Sequence, residues 1–313
     1  MATELEGPLT TEVASLALLA PMDEQWVLVP PKGLWKIKVA RIAYAFRDPA
    51  VWIPASVLIG IILTCFLGPL IGHLPNPNQE NLANSLLSPG HRGYVLGTNA
   101  LGNDMFSRLL HGGQVSIVVG IGATAIGMFI GTIFGMTAGY YGGVVEATIM
   151  RIFDALLAFP GLILALAIAD FLGPSEWHTI MAISVFGIST YGRLARSQTL
   201  GVRHRDFIVA ARANDAKGRS IIFGHVLPNI LPTLLAYSMI TVGVAMLIEA
   251  ALSYLGLGIP LPQPSWGNLI ASGQTYLTNA PYLVLEPSIA LFATVLSLNI
   301  LADSLRRRLR IDR

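Results

Sequence analysis

Residues 193–229 read RLARSQTLGVRHRDFIVAARANDAKGRSIIFGHVLPN, a polar stretch set between two long apolar runs. It carries Arg193, Arg196, Arg203, Arg205, Arg212, Lys217 and Arg219. Short connections rich in Lys and Arg are retained on the cytoplasmic side during membrane insertion, so this stretch orients the rest of the chain. Within it, Asp206 can cap a helix that starts at Phe207, its carboxylate accepting from the free amide groups of the first turn. Gly218 can end that helix. The expected helix runs for about three turns, roughly 16 Å, with Phe207, Ile208, Val209, Ala210 and Ala211 early and Arg212, Asn214, Asp215 and Lys217 late. So short a helix is marginal alone in water. Two readings follow: a solvated connector between two spans, or a docking element for a cytoplasmic protein that supplies the missing packing.

The 313-residue chain is 53% hydrophobic and 12% charged, with a mean hydropathy of +0.62. Those values fit an all-α polytopic membrane protein and not a soluble domain. The formal net charge is only +2, and the basic residues gather in three places, which argues against a nucleic-acid surface. Cys65 is the single cysteine, so no intrachain disulfide or cysteine metal cluster can form. The apolar stretch 13–20 follows Glu4 and Glu6, and no Lys or Arg precedes Lys32, the wrong charge order for a signal peptide.

About 20 apolar residues cross ~30 Å of hydrocarbon. The segments 51–71, 115–140, 152–171, 179–194, 230–255 and 284–301 meet or approach that length, giving six expected transmembrane helices. Lys32, Lys36, Lys38, Arg41 and Arg47 precede the first, and Arg306, Arg307, Arg308, Arg310 and Arg313 follow the last. Both termini are therefore expected inside, with 1–47 a cytoplasmic N-terminal segment and 48–312 the transmembrane domain. The connections 173–178 and 256–283 contain no Lys or Arg, and 72–114 holds only Arg92 and Arg108. All three are placed outside.

Several residues inside the spans draw chemistry or packing. Gly127, Gly131, Gly135 and Gly139 recur every fourth residue, a bare helix face that admits a neighbouring backbone closely or lines a wet pathway. Asp154 lies one turn from Arg151, the spacing of a local ion pair, and Pro160 is expected to kink the third span, with a hinge role left open. Glu249, with Ser253 beyond it, lies in the outer part of the fifth span. An unpaired charge at mid-bilayer costs at least about 2.5–3.5 kcal/mol. Glu249 is thus expected to face protein or water, either at a pathway or subunit interface or as a hydrogen-bonded carboxylate near the headgroups.

The run FIVAARANDAKGRSIIFGHVLPN, 207–229, resembles the EAA coupling loop of ABC-importer permeases, through Ala210, Ala211, His225, Pro228 and Asn229. Val209 stands where that family usually has Glu, which with Asp206 would complete a capping box, and Asp215 stands where it usually has Gly. An extension of the helix by about one turn, to Gly218, is the expected result. The run EAALSYLGLGIPLPQPSWGNLI, 249–270, resembles the signature of the C-type permease subunit of dipeptide, oligopeptide and nickel ABC importers. The resemblance extends over VLGTNALGNDMFSRLLHGGQVS, YYGGVVEATIMRIFDALLAFPGLILAL and APYLVLEPSIALFATVLSLNILADSLRRRL, so it covers about residues 94–309. Departures are Asn103, where Arg is usual, and Arg310. Gly256, Gly258, Pro260, Pro262 and Pro264 rule out a helix throughout the outer loop, and Trp266 is expected to anchor at the interface.

The resemblance implies a type I ABC-importer permease fold in the bacterial cytoplasmic membrane. It also implies a translocation pathway for peptides shared with a B-type sister permease, and an extracytoplasmic binding protein that delivers substrate. Nickel chelates or other small ligands are the alternative cargo. Cytoplasmic ATPase subunits would hold ATP and Mg, for this chain has no GxxxxGK[ST] loop, is expected to be non-catalytic and needs no cofactor of its own. Their groove would receive Phe207, Ile208 and Ala211. A secondary carrier should place ionisable groups near the midplane, whereas Asp154, Asp170 and Glu249 lie towards span ends. An intramembrane enzyme lacks support, with no GxSxG, HExxH or clustered His or Cys.

Overall fold

Pro160, where a kink in one crossing was expected, breaks the chain into two separate helices. A computed structural model describes residues 49–310, which belong to one compact unit built of helices. These are α1 (Pro49–Ile71), α2 (Met105–Tyr141), α3 (Gly143–Leu157), α4 (Gly161–Leu172), α5 (Glu176–Val202), α6 (Asp206–Ala213) and α7 (Gly218–Ile221). A π-helical turn, Ile222–Val226, leads into α8 (Leu227–Tyr254), followed by α9 (Trp266–Gly273) and α10 (Tyr282–Arg310). The expected cytoplasmic segment 1–47, with Lys32, Lys36, Lys38, Arg41 and Arg47, lies outside the described residues, as does Arg313.

Four helical stretches are long and apolar enough to cross a membrane: Val51–Ile71, Met105–Tyr141, Gly218–Tyr254 and Tyr282–Arg307. α3 and α4 pass that test only together, and they meet at 85°. Proline has no amide proton and its ring collides with the carbonyl four residues back; the backbone at Pro160, φ −55° and ψ 130°, leaves the helical region. The expected span 152–171 is therefore two helices of 15 and 12 residues, about 22 and 18 Å long. The expected span 179–194 falls inside α5, whose 27 residues reach about 40 Å, but whose Ser184, Ser189, Arg193 and Arg196 keep it out of the apolar set. Among the described residues, length and composition thus give four crossings, or five with the bent pair, where six were expected.

The glycine stripe of α2 is filled by α5. A Cβ on Gly127 would lie 3.0 Å from the backbone of Gly187, and Gly131, Gly135 and Gly139 meet Ile188, Gly192 and Arg196 main chain in turn. Of the two readings left open for Gly127, Gly131 and Gly135, close packing is what the chain uses, because no room remains on that face for a pathway. α8 and α1 cover other sides of α2, and α9 lodges against α2, α8 and α10. Cys65 on α1 is buried, and its carbonyl accepts from Gln114 Nε2 at 2.7 Å.

The bundle has two ends: one carries α6, here termed the elbow end, and the far end carries α9. At the far end α2 begins ten residues earlier than expected, because Asp104 caps it, its carboxylate accepting from the Phe106 N–H at 3.1 Å. The segment before it is pinned by Ser107 Oγ to the Pro75 carbonyl at 2.6 Å and by Arg108 Nη1 to the Pro77 carbonyl at 2.9 Å. Trp266 is no interfacial anchor: it is buried, and its indole N–H donates to the Leu109 carbonyl at 2.9 Å. The local Arg151–Asp154 pair is also corrected. Asp154 pairs with Arg193 across the helix interface at 2.5 Å.

Candidate functional site

At the elbow end, α6 is held by its own chain. Ile208 is fully buried in a cluster with Met136, Tyr191, Ala195, Ile221, Ile222 and Val226, and Ala211 and Ala216 pack at its edge. Burying one isoleucine contributes about 1.5–3 kcal/mol, tertiary stabilisation that a helix of eight residues lacks alone in water. Ile208 and Ala211 therefore do not wait for an external groove. The opposite side of the helix is bare: Phe207 is 36% exposed, Val209 54%, and Ala210, Arg212 and Ala213 are also exposed.

The ends of α6 differ from expectation for local reasons. Arg205 occupies the N-cap, while Asp206 is the first helical residue and makes no side-chain cap. Its carboxylate still favours the positive end of the helix dipole. The helix stops at Ala213, not near Gly218. Asp215 adopts φ +54°, its N–H donates to the Arg212 carbonyl at 3.0 Å, and the Ala216 N–H reaches the Ala211 carbonyl at 3.1 Å. That pair of bonds is a Schellman termination with Asp in the left-handed position glycine usually fills. Asp215 ends the helix and does not extend it.

Gly218 opens α7, where a Cβ would press on the Tyr141 hydroxyl at 2.8 Å. The Arg212 guanidinium lies 5.0 Å over the Tyr140 ring. His225, Pro228 and Asn229 lie in the helical run that continues into α8, not in a loop. Pro228 and Pro232 remove two donors from its first turns; the π turn precedes them, and Asn229 Nδ2 donates to the His225 carbonyl at 2.7 Å. Beside the elbow, Arg196 pairs with Glu146 and Arg203 Nη1 donates to the Gly139 carbonyl at 3.0 Å. These contacts tie α3 and the end of α2 to α5. Pro160, at the break between α3 and α4, is exposed.

Glu249 lies at the far end of α8 and is fully buried. Ser116 Oγ on α2 donates to its Oε2 at 2.8 Å, and Ser253 Oγ to its Oε1 at 2.7 Å. The carboxylate is enclosed by this chain and satisfied within it.

Residues 131–311 match the family described as binding-protein-dependent transport system inner membrane component. The chain belongs to that family. This permease is 33% identical to the dipeptide transport system permease protein DppC of Alkalihalophilus pseudofirmus, over 98% of its own length and 97% of the relative's. It is 38% identical to the glutathione transport system permease protein GsiD of Pectobacterium atrosepticum, over 67% and 70% of the two chains. The resemblance to C-type importer permeases read from the motifs holds. Its fold is similar to a chain of the inward-facing MetNI methionine ABC transporter, with a TM-score of 0.54 and 18% identity over 64% of the permease and 95% of that chain.

Sequence reasoning brought the elbow together but missed its supports. Tyr140, Tyr141 and Glu146 sit some 60 residues before α6, and Ser116 some 130 before Glu249. Only the YYGG run, quoted for the family resemblance, hinted at the first group. Nothing local flagged Ser116.

Proposed function

We propose that this permease is one membrane subunit of an ATP-driven importer of dipeptides or oligopeptides, forming the translocation pathway with a B-type sister permease. Relatives named for dipeptide and glutathione transport support the cargo class. ATP and Mg reside on partner ATPase chains, and an extracytoplasmic binding protein delivers the peptide. Six crossings with both termini cytoplasmic remain the topology of the proposal. The bent α3–α4 pair counts once, and α5 crosses with its polar face sheltered by α2.

One observation carries this reading: α6 is anchored on its own core by Ile208 yet leaves Phe207, Val209 and Ala210 bare on the other side. A helix presented in that way has its docking face already ordered, so a partner that grips it can move the bundle. Helix-in-groove recognition uses such apolar anchors.

Tagged permease purified in mild detergent is expected to bring an ATPase with it. Phe207→Asp leaves the buried anchor intact and should remove the ATPase and the uptake of labelled dialanine together. Uptake by permease free of any ATPase, or undiminished uptake by Phe207→Asp, overturns the proposal. Uptake of a nickel chelate in place of the dipeptide reassigns the cargo. For topology, an impermeant thiol reagent should label Leu261→Cys but not Ser220→Cys from outside in a Cys65→Ala background. Leu261 is exposed in the connection between α8 and α9.

A further inference from the structure

Many hydroxyls on the described helices of this permease turn back to their own backbone. Thr137, Ser184, Thr199 and Ser238 each donate to a carbonyl three or four residues earlier, the usual local habit of Ser and Thr. Ser116 and Ser253 do not, because both donate to the Glu249 side chain. Each serine oxygen is thereby turned to accept from elsewhere: Ser116 Oγ from the Trp266 N–H at 3.2 Å, and Ser253 Oγ from the Ile259 N–H at 3.1 Å. Ser265 next to Trp266 caps α9, its Oγ accepting from the Asn268 N–H at 3.3 Å.

We propose that Glu249 is a positioning residue that fixes the far-end segment 257–273 against α2 and α8 by acting through Ser116 and Ser253. The segment needs such a pin. Gly256 at φ +80° leaves the helix, and Pro260, Pro262 and Pro264 lack amide protons, so few main-chain bonds hold the connection between α8 and α9. Ile259 and Trp266 bracket it, and both of their amides lead to the same carboxylate. The exposed tip Pro260–Leu261–Pro262 lies between those two anchors. Close packing adds to the registry, since a Cβ on Gly267 would lie 2.5 Å from Ala250 Cα.

An apolar residue of similar size would avoid the large cost of burying a carboxylate, and Glu249 has no ion pair among the described residues. What the carboxylate supplies and an apolar side chain cannot is simultaneous orientation of two hydroxyls from two elements, α2 and α8. The consequence for transport rests on the import reading above: the tip 260–262 is held in one geometry for whatever meets that end of the permease.

Hydrogen exchange followed by mass spectrometry on the assembled importer in lipid nanodiscs tests the pin. In Glu249→Gln, whose amide offers donors where the serines need an acceptor, exchange across 257–268 is expected to rise about tenfold, equivalent to about 1.4 kcal/mol. Exchange in α5 and the middle of α2 should stay at the unsubstituted rate. In vesicles carrying the importer and its binding protein, the half-saturating concentration of labelled dialanine should rise before the maximal rate falls. If Glu249→Gln does not assemble, Ser116→Ala, which cuts one arm, is read in its place. Unchanged protection of 257–268, or acceleration spread equally over α2 and α5, overturns the assignment, and local loosening with an unchanged half-saturation overturns the presenting role. Local exchange does not depend on cargo, so failure of the import reading shows separately, as absent uptake in the unsubstituted complex.

Discussion

The Ala216 N–H donates to the Ala211 carbonyl at 3.1 Å across Asp215, which stands at φ +54°. This closure sets the length of α6 and returns the chain to the core through Ala211 and Ala216, both packed on the Ile208 cluster. A left-handed residue other than glycine costs about 1 kcal/mol or more, less for Asp than for a branched side chain. Asp215→Gly should therefore raise stability by about 0.5–1 kcal/mol, and Asp215→Val should lower it. Thermal unfolding of purified permease ranks the three, and a Val variant as stable as the Asp chain would contradict the closure.

Ile208 and Phe207 are neighbours with opposite roles. Ile208→Ala opens a cavity in the permease's own core and is expected to cost about 2–5 kcal/mol, freeing residues 203–217 for proteolysis even without partners. Phe207→Ala should leave proteolysis unchanged. Equal protection of the two variants would mean that α6 is not anchored on its own chain.

Two ion pairs tie α3 to α5, and they differ in exposure. Arg193 and Asp154 have half or more of their side chains exposed, whereas Arg196 and Glu146 are at 35% and 22%. Double-mutant cycles should give a coupling of about 0.5 kcal/mol or less for the first and about 1 kcal/mol for the second, both shrinking in high salt.

Gly131 faces the Ile188 carbonyl and Tyr191 with no room for a side chain, while Gly60 on α1 has nothing within 4 Å of a Cβ. Gly131→Ala should cost about 1–3 kcal/mol by forcing α2 from α5. Gly60→Ala should be neutral or gain up to about 1 kcal/mol from helix propensity. Detergent unfolding midpoints separate them.

Asp104 gives a dependence on pH. Burial pushes its carboxyl above the usual carboxylate range, partly offset by the hydrogen bonds from the Phe106 and Ser107 N–H groups. A raised folded value means that the protonated form is favoured by folding, so its stabilising contribution is full below the ordinary carboxylate pKa and is lost as pH rises through the shifted one. Asp104→Asn keeps a capping oxygen and removes the titration. Its gain over the native chain should be larger at neutral than at acid pH, and a pH-independent difference would count against the shift.

The sequence by itself determined the class, the family and the elbow. Apolar runs, the basic stretch 193–229 and the signature 249–270 are local patterns, and local patterns fix helix formation and membrane insertion. The glycine spacing in α2 marked a bare face and left open whether a neighbour or a pathway would meet it. Tertiary structure alone decided which faces are spent. Ile208 and Phe207 are both apolar, and only the cluster assembled from α2, α5 and α8 buries one and leaves the other bare. Trp266 and Glu249 carry the composition of an interface anchor and a pathway charge, but Leu109 and Ser116, more than 130 residues away in sequence, make both interior groups. Partners so distant leave no periodicity in the chain, because the contact exists only once the helices have packed.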